Sequence, residues 1–243
     1  MTRSKAFFWH LIGSSTIALL AILVVFHLWY PAPLHNALGV TQVFMLVLMV
    51  DVVLGPVLTL VIYRVGKKAL VFDLSLIIFL QITALGYGLF TVAEGRPAWV
   101  VFNVDRFDLV QAMEIDKRKL EDAREEYRVL PWSGPRWVGA AVPTDPNERQ
   151  DLIFESVFGG SDITQRPNLY RELREMENAV RKRAQPLEKL YEFNDSAVVR
   201  KALLAWPEAT AWLPLMARVK PMVVLLKENS SEALAIVALD PWN

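Results

Sequence analysis

Residues 51–88 read DVVLGPVLTLVIYRVGKKALVFDLSLIIFLQITALGYG, two apolar runs joined by a short basic turn. At about 1.5 Å of rise per residue, roughly twenty apolar residues cross a hydrocarbon core about 30 Å thick. Extended back to Val40, the first run is such a span, about 40–63, and the second is another, about 70–91. Gly66 lets the chain reverse between them, and Arg64, Lys67 and Lys68 surround the turn. The two spans are therefore antiparallel, and Asp51 and Gln81, each near the middle of its own run, meet at similar depth.

Working outward, Ala6 to Trp29 forms a further apolar segment, about 6–29, preceded by Arg3 and Lys5. A cleaved signal peptide is the competing reading, but the apolar part is too long and prolines stand where small cleavage residues are wanted. An uncleaved anchor fits better. From Met1 to Ala93 the ionisable Asp, Glu, Lys and Arg residues are confined to Arg3, Lys5, Asp51, Arg64, Lys67, Lys68 and Asp73. The rest of the chain carries an ordinary soluble charge density. The expected organisation is a three-span membrane α-helical domain, 1–93, followed by an α+β extracytoplasmic domain, 94–243.

The basic residues of the short tails and loops set orientation. Arg3 and Lys5 lie on the same side as Arg64, Lys67 and Lys68, while the first loop has no lysine or arginine. The amino terminus is thus expected in the cytoplasm and the carboxy-terminal domain on the far side of the membrane, which is the periplasm in a host with two membranes. Lysine plus arginine and aspartate plus glutamate are balanced at 26 each, which offers no electrostatic footprint for nucleic acid. No cysteine is present, so disulfides and thiolate chemistry are excluded.

In the second half, Trp99 to Val104 is a β-rich run, and Met113 to Tyr127 is charged with helical spacing, including a Glu114–Arg118 pair of the supportive orientation. Trp137 to Val142 is a short strand candidate. Pro146 to Phe158, Asn168 to Arg183 and Ser196 to Trp206 read as amphipathic helices, the last capped by Asp195 or Ser196. Met222 to Leu226 and Ala233 to Leu239 flank a polar loop, 227–232, as a hairpin.

The run Asp51 to Leu60, Lys67-Lys68, Asp73-Leu74, Gln81, Ala84-Leu85, Tyr87-Gly88, Arg96-Pro97, Val101-Phe102, Asp105-Arg106-Phe107 and Asp240-Pro241-Trp242 together resemble the TfpX/TfpZ family of type IV pilin accessory proteins. That resemblance implies an inner-membrane, chaperone-like protein. It would bind the major type IV pilin and assist its stability, assembly or pilus dynamics, with membrane lipid as its other partner and no enzymatic step.

A carboxylate at the centre of a bilayer costs about 2.5–3.5 kcal/mol on insertion scales, so Asp51 calls for a partner. A structural reading has it bonded to Gln81, or to the Ser14 to Thr16 group, as helix glue worth about 1 kcal/mol. A functional reading, resting on the resemblance, has it recognise a client pilin's transmembrane helix. Gly55-Pro56, one turn on, should kink the span or free a backbone carbonyl. Gly86 and Gly88, with Ala84, offer a small-residue face for close packing. Arg64, Lys67 and Lys68 are topology determinants or cytoplasmic contacts. Asp105, Arg106 and Phe107 are candidates for a charge pair orienting the domain over the bilayer, or for contact with a pilin head. Trp99, Trp132, Trp137 and Trp242 are candidates for an interfacial belt or for core.

His10, His27 and His35 are scattered, and no nucleophile elbow or phosphate loop occurs, so no cofactor, metal or catalytic residue is expected. Two other function classes fit the layout. One is a sensor subunit with a periplasmic ligand-binding domain, which would lack a cytoplasmic output domain. The other is a subunit of a proton-coupled membrane complex using Asp51.

Overall fold

The computed structural model describes residues 2–227 and 231–242. Three helices are long and apolar enough to cross a membrane: α1, Arg3–Trp29, α2, Val40–Ile62, and α3, Leu70–Glu94. Large side chains such as Leu19, Leu46, Phe72 and Phe79 are exposed on their outer faces. The inward face of α1 is made of Ala6, Ser14, Ala18 and Ala21. Without a hydrophobic drive between helices in lipid, small side chains that admit close backbone approach are what such an interface needs. Gly88 on α3 meets that requirement, since a Cβ there would lie 2.7 Å from Val47 Cγ1 of α2. Gly86 has open space instead.

Two of these helices are not α-helical throughout. α1 ends in a π-helical stretch, Val24–Trp29, and α2 contains another, Val50–Leu54, directly before Gly55 and Pro56. The expected effect of that Gly-Pro pair is therefore realised as a widened turn that frees a carbonyl.

The following α+β domain holds β1 Pro97–Asn103, β2 Arg106–Gln111, β3 Arg136–Ala140, α4 Pro146–Val157, β4 Tyr170–Arg171, α5 Glu177–Arg183, β5 Gln185–Pro186, α6 Ser196–Leu204, β6 Ala209–Met216, β7 Met222–Lys227 and β8 Ala233–Val237, besides shorter helical turns. The strands form one mixed sheet in the order β4-β3-β1-β2-β6-β7-β8, with β5 beside β6. β1–β2, β6–β7 and β7–β8 pair antiparallel, whereas β3 and β6 run parallel to β1 and β2. Central β1 is buried on both faces from Ala98 to Phe102, which is why it reads as an unbroken apolar run. Val100 and Phe102 join Phe107, Leu213 and Leu215 in one core, and Trp99 and Val101 join Val138 and Tyr170 in another.

The first of those cores continues without interruption into Ala18, Ala21, Val25 and Trp29 of α1 and Phe44 and Leu48 of α2. Hydrogen bonds fasten the same junction. Tyr30 Oη donates to the Val92 carbonyl at 2.8 Å, and the Val219 and Lys220 amides both donate to the Ala37 carbonyl at 3.1 Å. Gly39 stands at φ 67 with Val219 Cγ2 3.1 Å from where its Cβ would be, so only glycine serves there.

Three expectations for the second half change. Met113 to Tyr127 is not one helix but the turns Ala112–Glu114, Leu120–Asp122 and Glu125–Arg128. Glu114 turns back to accept from the Gln111 amide at 2.8 Å, and Arg118 bonds Asp116 and Glu155 rather than Glu114. Asn168 to Arg183 is α-helical only as α5, Glu177–Arg183, preceded by a 3-10 turn at Leu173–Met176. Tyr170 is fully buried there as part of β4, opposite Ala140, and its hydroxyl donates to the Thr164 carbonyl. The strand candidate at Trp137 to Val142 ends at Ala140. α4 and α6 form as expected, with Asp195 accepting from the Ala197 amide at 2.7 Å as the α6 cap. The terminal hairpin is β7–β8, and residues 228–230 of its expected loop lie outside the described residues.

Candidate functional site

The site follows from the backbone of α2. In a π-helical turn the amide of residue i+5 serves the carbonyl of residue i. For Asp51 that residue is Pro56, which has no N–H. The orphaned Asp51 carbonyl is satisfied from the neighbouring helix, where Gln81 Nε2 donates to it at 2.9 Å and to Asp51 Oδ1 at 3.1 Å. Gly55 makes room for this contact. A Cβ at position 55 would fall 1.9 Å from Gln81 Nε2, so the four expected residues Asp51, Gly55, Pro56 and Gln81 act as one unit.

Asp51 is only 7% exposed, and Gln81 Oε1 is buried with no hydrogen-bond partner among the described residues. The unit forms the polar end of an open groove of about 400 Å³ between the three helices. Its walls also include Ala6, Trp9, Ile17, Leu74, Ile78 and Leu85. The groove runs from the mid-depth of α2 and α3 towards the end of the bundle that carries Lys5 and Lys67. A second polar pair lines it, with His10 Nδ1 and Thr59 Oγ1 2.6 Å apart. In the sequence His10 is one of three scattered histidines and Thr59 carries no motif. The available signal was placement, since His10 and Ser14 are four apart on α1 and Thr59 lies eight beyond Asp51, on the same face of α2. Ser14 is buried in the groove wall but makes no bond to Asp51, and Thr16 bonds back to the Ile12 carbonyl at 2.9 Å. Of the two partners expected for Asp51, Gln81 is the one the structure supplies.

Comparison with known proteins adds the family. The family model for the fimbrial assembly protein FimB matches residues 1–39. A fimbrial assembly protein of Dichelobacter nodosus serogroup I is 31% identical over 237 residues, 93% of this chain and 91% of the relative. The chain belongs to the fimbrial assembly protein family. The serogroup E1 protein of the same organism is 32% identical over the same length and the same shares of both chains. The protein of serogroups C1 and C2 is 35% identical over 108 residues, 44% of this chain and 82% of the relative. No solved structure matches.

In this family member the remaining candidates lie away from the groove's polar end. Arg64 and Lys68 are exposed at the turn between α2 and α3, and Lys67 Nζ pairs with Asp73 Oδ2 at 2.5 Å. Asp105 is exposed in the β1–β2 turn beside Val104, whose φ is 56. Arg106 Nε pairs with Asp108 Oδ1 at 3.1 Å, not with Asp105. Phe107 is buried against Phe102 and Trp137. By register this turn closes the end of the hairpin opposite Pro97 and Gln111, which adjoin α3. The charge pair is thus carried at the far tip of the hairpin from the helix junction, with burial pushing the Asp108 carboxyl up.

A second polar cluster joins residues too far apart in the sequence for any local pattern to reveal it. Arg118 bonds Asp116 and Glu155, Arg166 also bonds Glu155, and Ser161 bonds Asp116, so the cluster ties α4 to the loop after β2. Hydrogen bonds from Arg118 hold the Asp116 carboxyl well below the usual carboxylate range. Of the tryptophans, Trp99 is core, Trp137 is partly buried, and Trp132 and Trp242 are exposed.

Proposed function

We propose that this fimbrial assembly protein is an inner-membrane accessory factor for type IV fimbriae. It holds the major pilin subunit during its stabilisation or assembly and carries out no catalytic step. The observation that carries the reading is the groove ending at Asp51 and Gln81. It is apolar-walled and open between three helices, and Asp51, held by Gln81, places a carboxyl group in its lining at mid-depth. Such a surface fits a helix that is apolar along its length and brings a hydrogen-bond donor or a positive charge to mid-depth. The resemblance to pilin accessory proteins supports a pilin as that client, and the relatives' names support a role in fimbrial assembly. The clustering of Lys5, Arg64, Lys67 and Lys68 at one end of the bundle supports a cytoplasmic amino terminus, with the α+β domain outside to meet the pilin head.

The test exchanges Asp51→Asn and Asp51→Leu and measures pilin co-purification at matched protein level. Loss with leucine and partial retention with asparagine is the expected pattern. Full recovery of pilin with leucine removes Asp51 from client recognition.

A further inference from the structure

We infer that the loops packed around the domain-side ends of the helices form an apolar collar that enters the lipid headgroup layer. This rests on the reading that the three helices span a bilayer. Single exposed apolar residues on a protein surface are ordinary and call for no explanation. Met113, Val129, Trp132 and Val219 differ in where they are fastened. Each is exposed by more than half, at 55%, 74%, 63% and 62%. Each also lies within two residues of a hydrogen bond to the segment that ends or begins a span.

Next to Met113, the Ala112 amide donates to the Arg96 carbonyl at 2.9 Å. Between Val129 and Trp132, the Pro131 carbonyl accepts from Arg96 Nε at 3.3 Å, while Arg96 Nη1 donates to the Ala93 carbonyl at 2.6 Å. Two residues beyond Trp132, the Gly134 amide donates to the Leu28 carbonyl at 2.6 Å. Val219 itself donates to the Ala37 carbonyl. The Trp132 ring meets Trp29 edge-on at 5.6 Å and lies 5.2 Å from the Arg96 guanidinium, which places an exposed indole at the level of the α1 terminus.

Tyrosine and tryptophan favour that level of a bilayer because one end of the ring is apolar and the other wet. Arg218 and Lys220, exposed beside Val219, bring positive charge to the same level, which suits lipid phosphate. The occupant is therefore a phospholipid surface. The collar would hold the α+β domain upright against the bilayer and so fix the position of anything the domain binds relative to the groove.

The chain has no cysteine, so single substitutions give unique labels. Nitroxide is attached to Val129→Cys, Met113→Cys, Val104→Cys and Leu80→Cys in the full chain reconstituted in phosphatidylglycerol–phosphatidylethanolamine vesicles. Collision with oxygen is compared with collision with a water-soluble nickel chelate. Val104 at the hairpin tip is the aqueous reference and Leu80 on α3 the lipid reference. The expected result is an oxygen-to-chelate ratio at 113 and 129 severalfold above that at 104, on the way to that at 80. A ratio at either position equal to that at 104, with 80 shielded from chelate, overturns the collar. Chelate access at 80 instead overturns the spanning reading beneath it.

Discussion

Gly55→Ala tests the chemistry of the notch at its tightest point. The new methyl would stand 1.9 Å from Gln81 Nε2, 2.3 Å from Cδ and 2.4 Å from Oε1. These atoms are the far end of a flexible side chain, so Gln81 swings away rather than the backbone shifting. Both hydrogen bonds to Asp51 are then lost. The bond to the carboxylate is worth about 0.6 kcal/mol by the average for interhelical bonds in membranes. Leaving the Asp51 carbonyl without a donor costs about 1–3 kcal/mol, because Pro56 cannot replace Gln81. Alanine returns about 1 kcal/mol through its better helix propensity. The net cost is about 0.6–2.6 kcal/mol. The assay is a double-mutant cycle with Gln81→Ala, read from unfolding midpoints of the detergent-solubilised full chain. Because the penalty acts through Gln81, Gly55→Ala should become neutral or mildly stabilising in the Gln81→Ala background. Equal destabilisation in both backgrounds would refute the linkage of Gly55 to Gln81.

Other consequences follow from the same geometry. Thr59→Val leaves His10 without its partner and should cost about 1 kcal/mol by the same unfolding assay, with no further loss when His10→Ala is added. Gly88→Ala, whose methyl would meet Val47 at 2.7 Å, should destabilise by about 1–3 kcal/mol and be rescued by Val47→Ala, whereas Gly86→Ala should be tolerated. Below about pH 4 the unfolded chain binds more protons than the folded one at Asp116, whose folded pKa is depressed by Arg118. That stabilisation is complete above the unfolded pKa and is lost as pH falls through the folded one. Arg118→Ala should therefore move the acid-unfolding midpoint followed by circular dichroism to higher pH, and an unchanged midpoint would contradict the assignment.

The helical half was legible because its signals are dense and local. Length, apolarity and the turn at 64–68 specify three helices, and the antiparallel arrangement of α2 and α3 brings Asp51 to Gln81. The π-helical turn was half legible, since Pro56 announces a missing donor but not which carbonyl is orphaned. The charged stretch 113–127 misled because helical charge spacing is a weak preference that tertiary partners override. Its Asp116 and Arg118 are engaged by Glu155 and Ser161, residues no local window contains. Tyr170 likewise sits in an apparent helix but is drawn into the core beside Trp99 and Tyr127. The groove itself is assembled from three helices, so His10 and Thr59 acquire a meeting point only once α1 is packed on α2.

Photocrosslinking from the groove in living cells bears most directly on the client reading. A photoreactive residue replaces Ile78, which lines the groove, or Phe79, which is 65% exposed on the outer face of α3. The outcome expected is an adduct between position 78 and the pilin's transmembrane segment, identified by mass spectrometry, that is absent from position 79 and reduced by Asp51→Leu. No pilin adduct from 78 in cells that make pilin, or equal yield from 78 and 79, would contradict a groove built to hold the pilin helix.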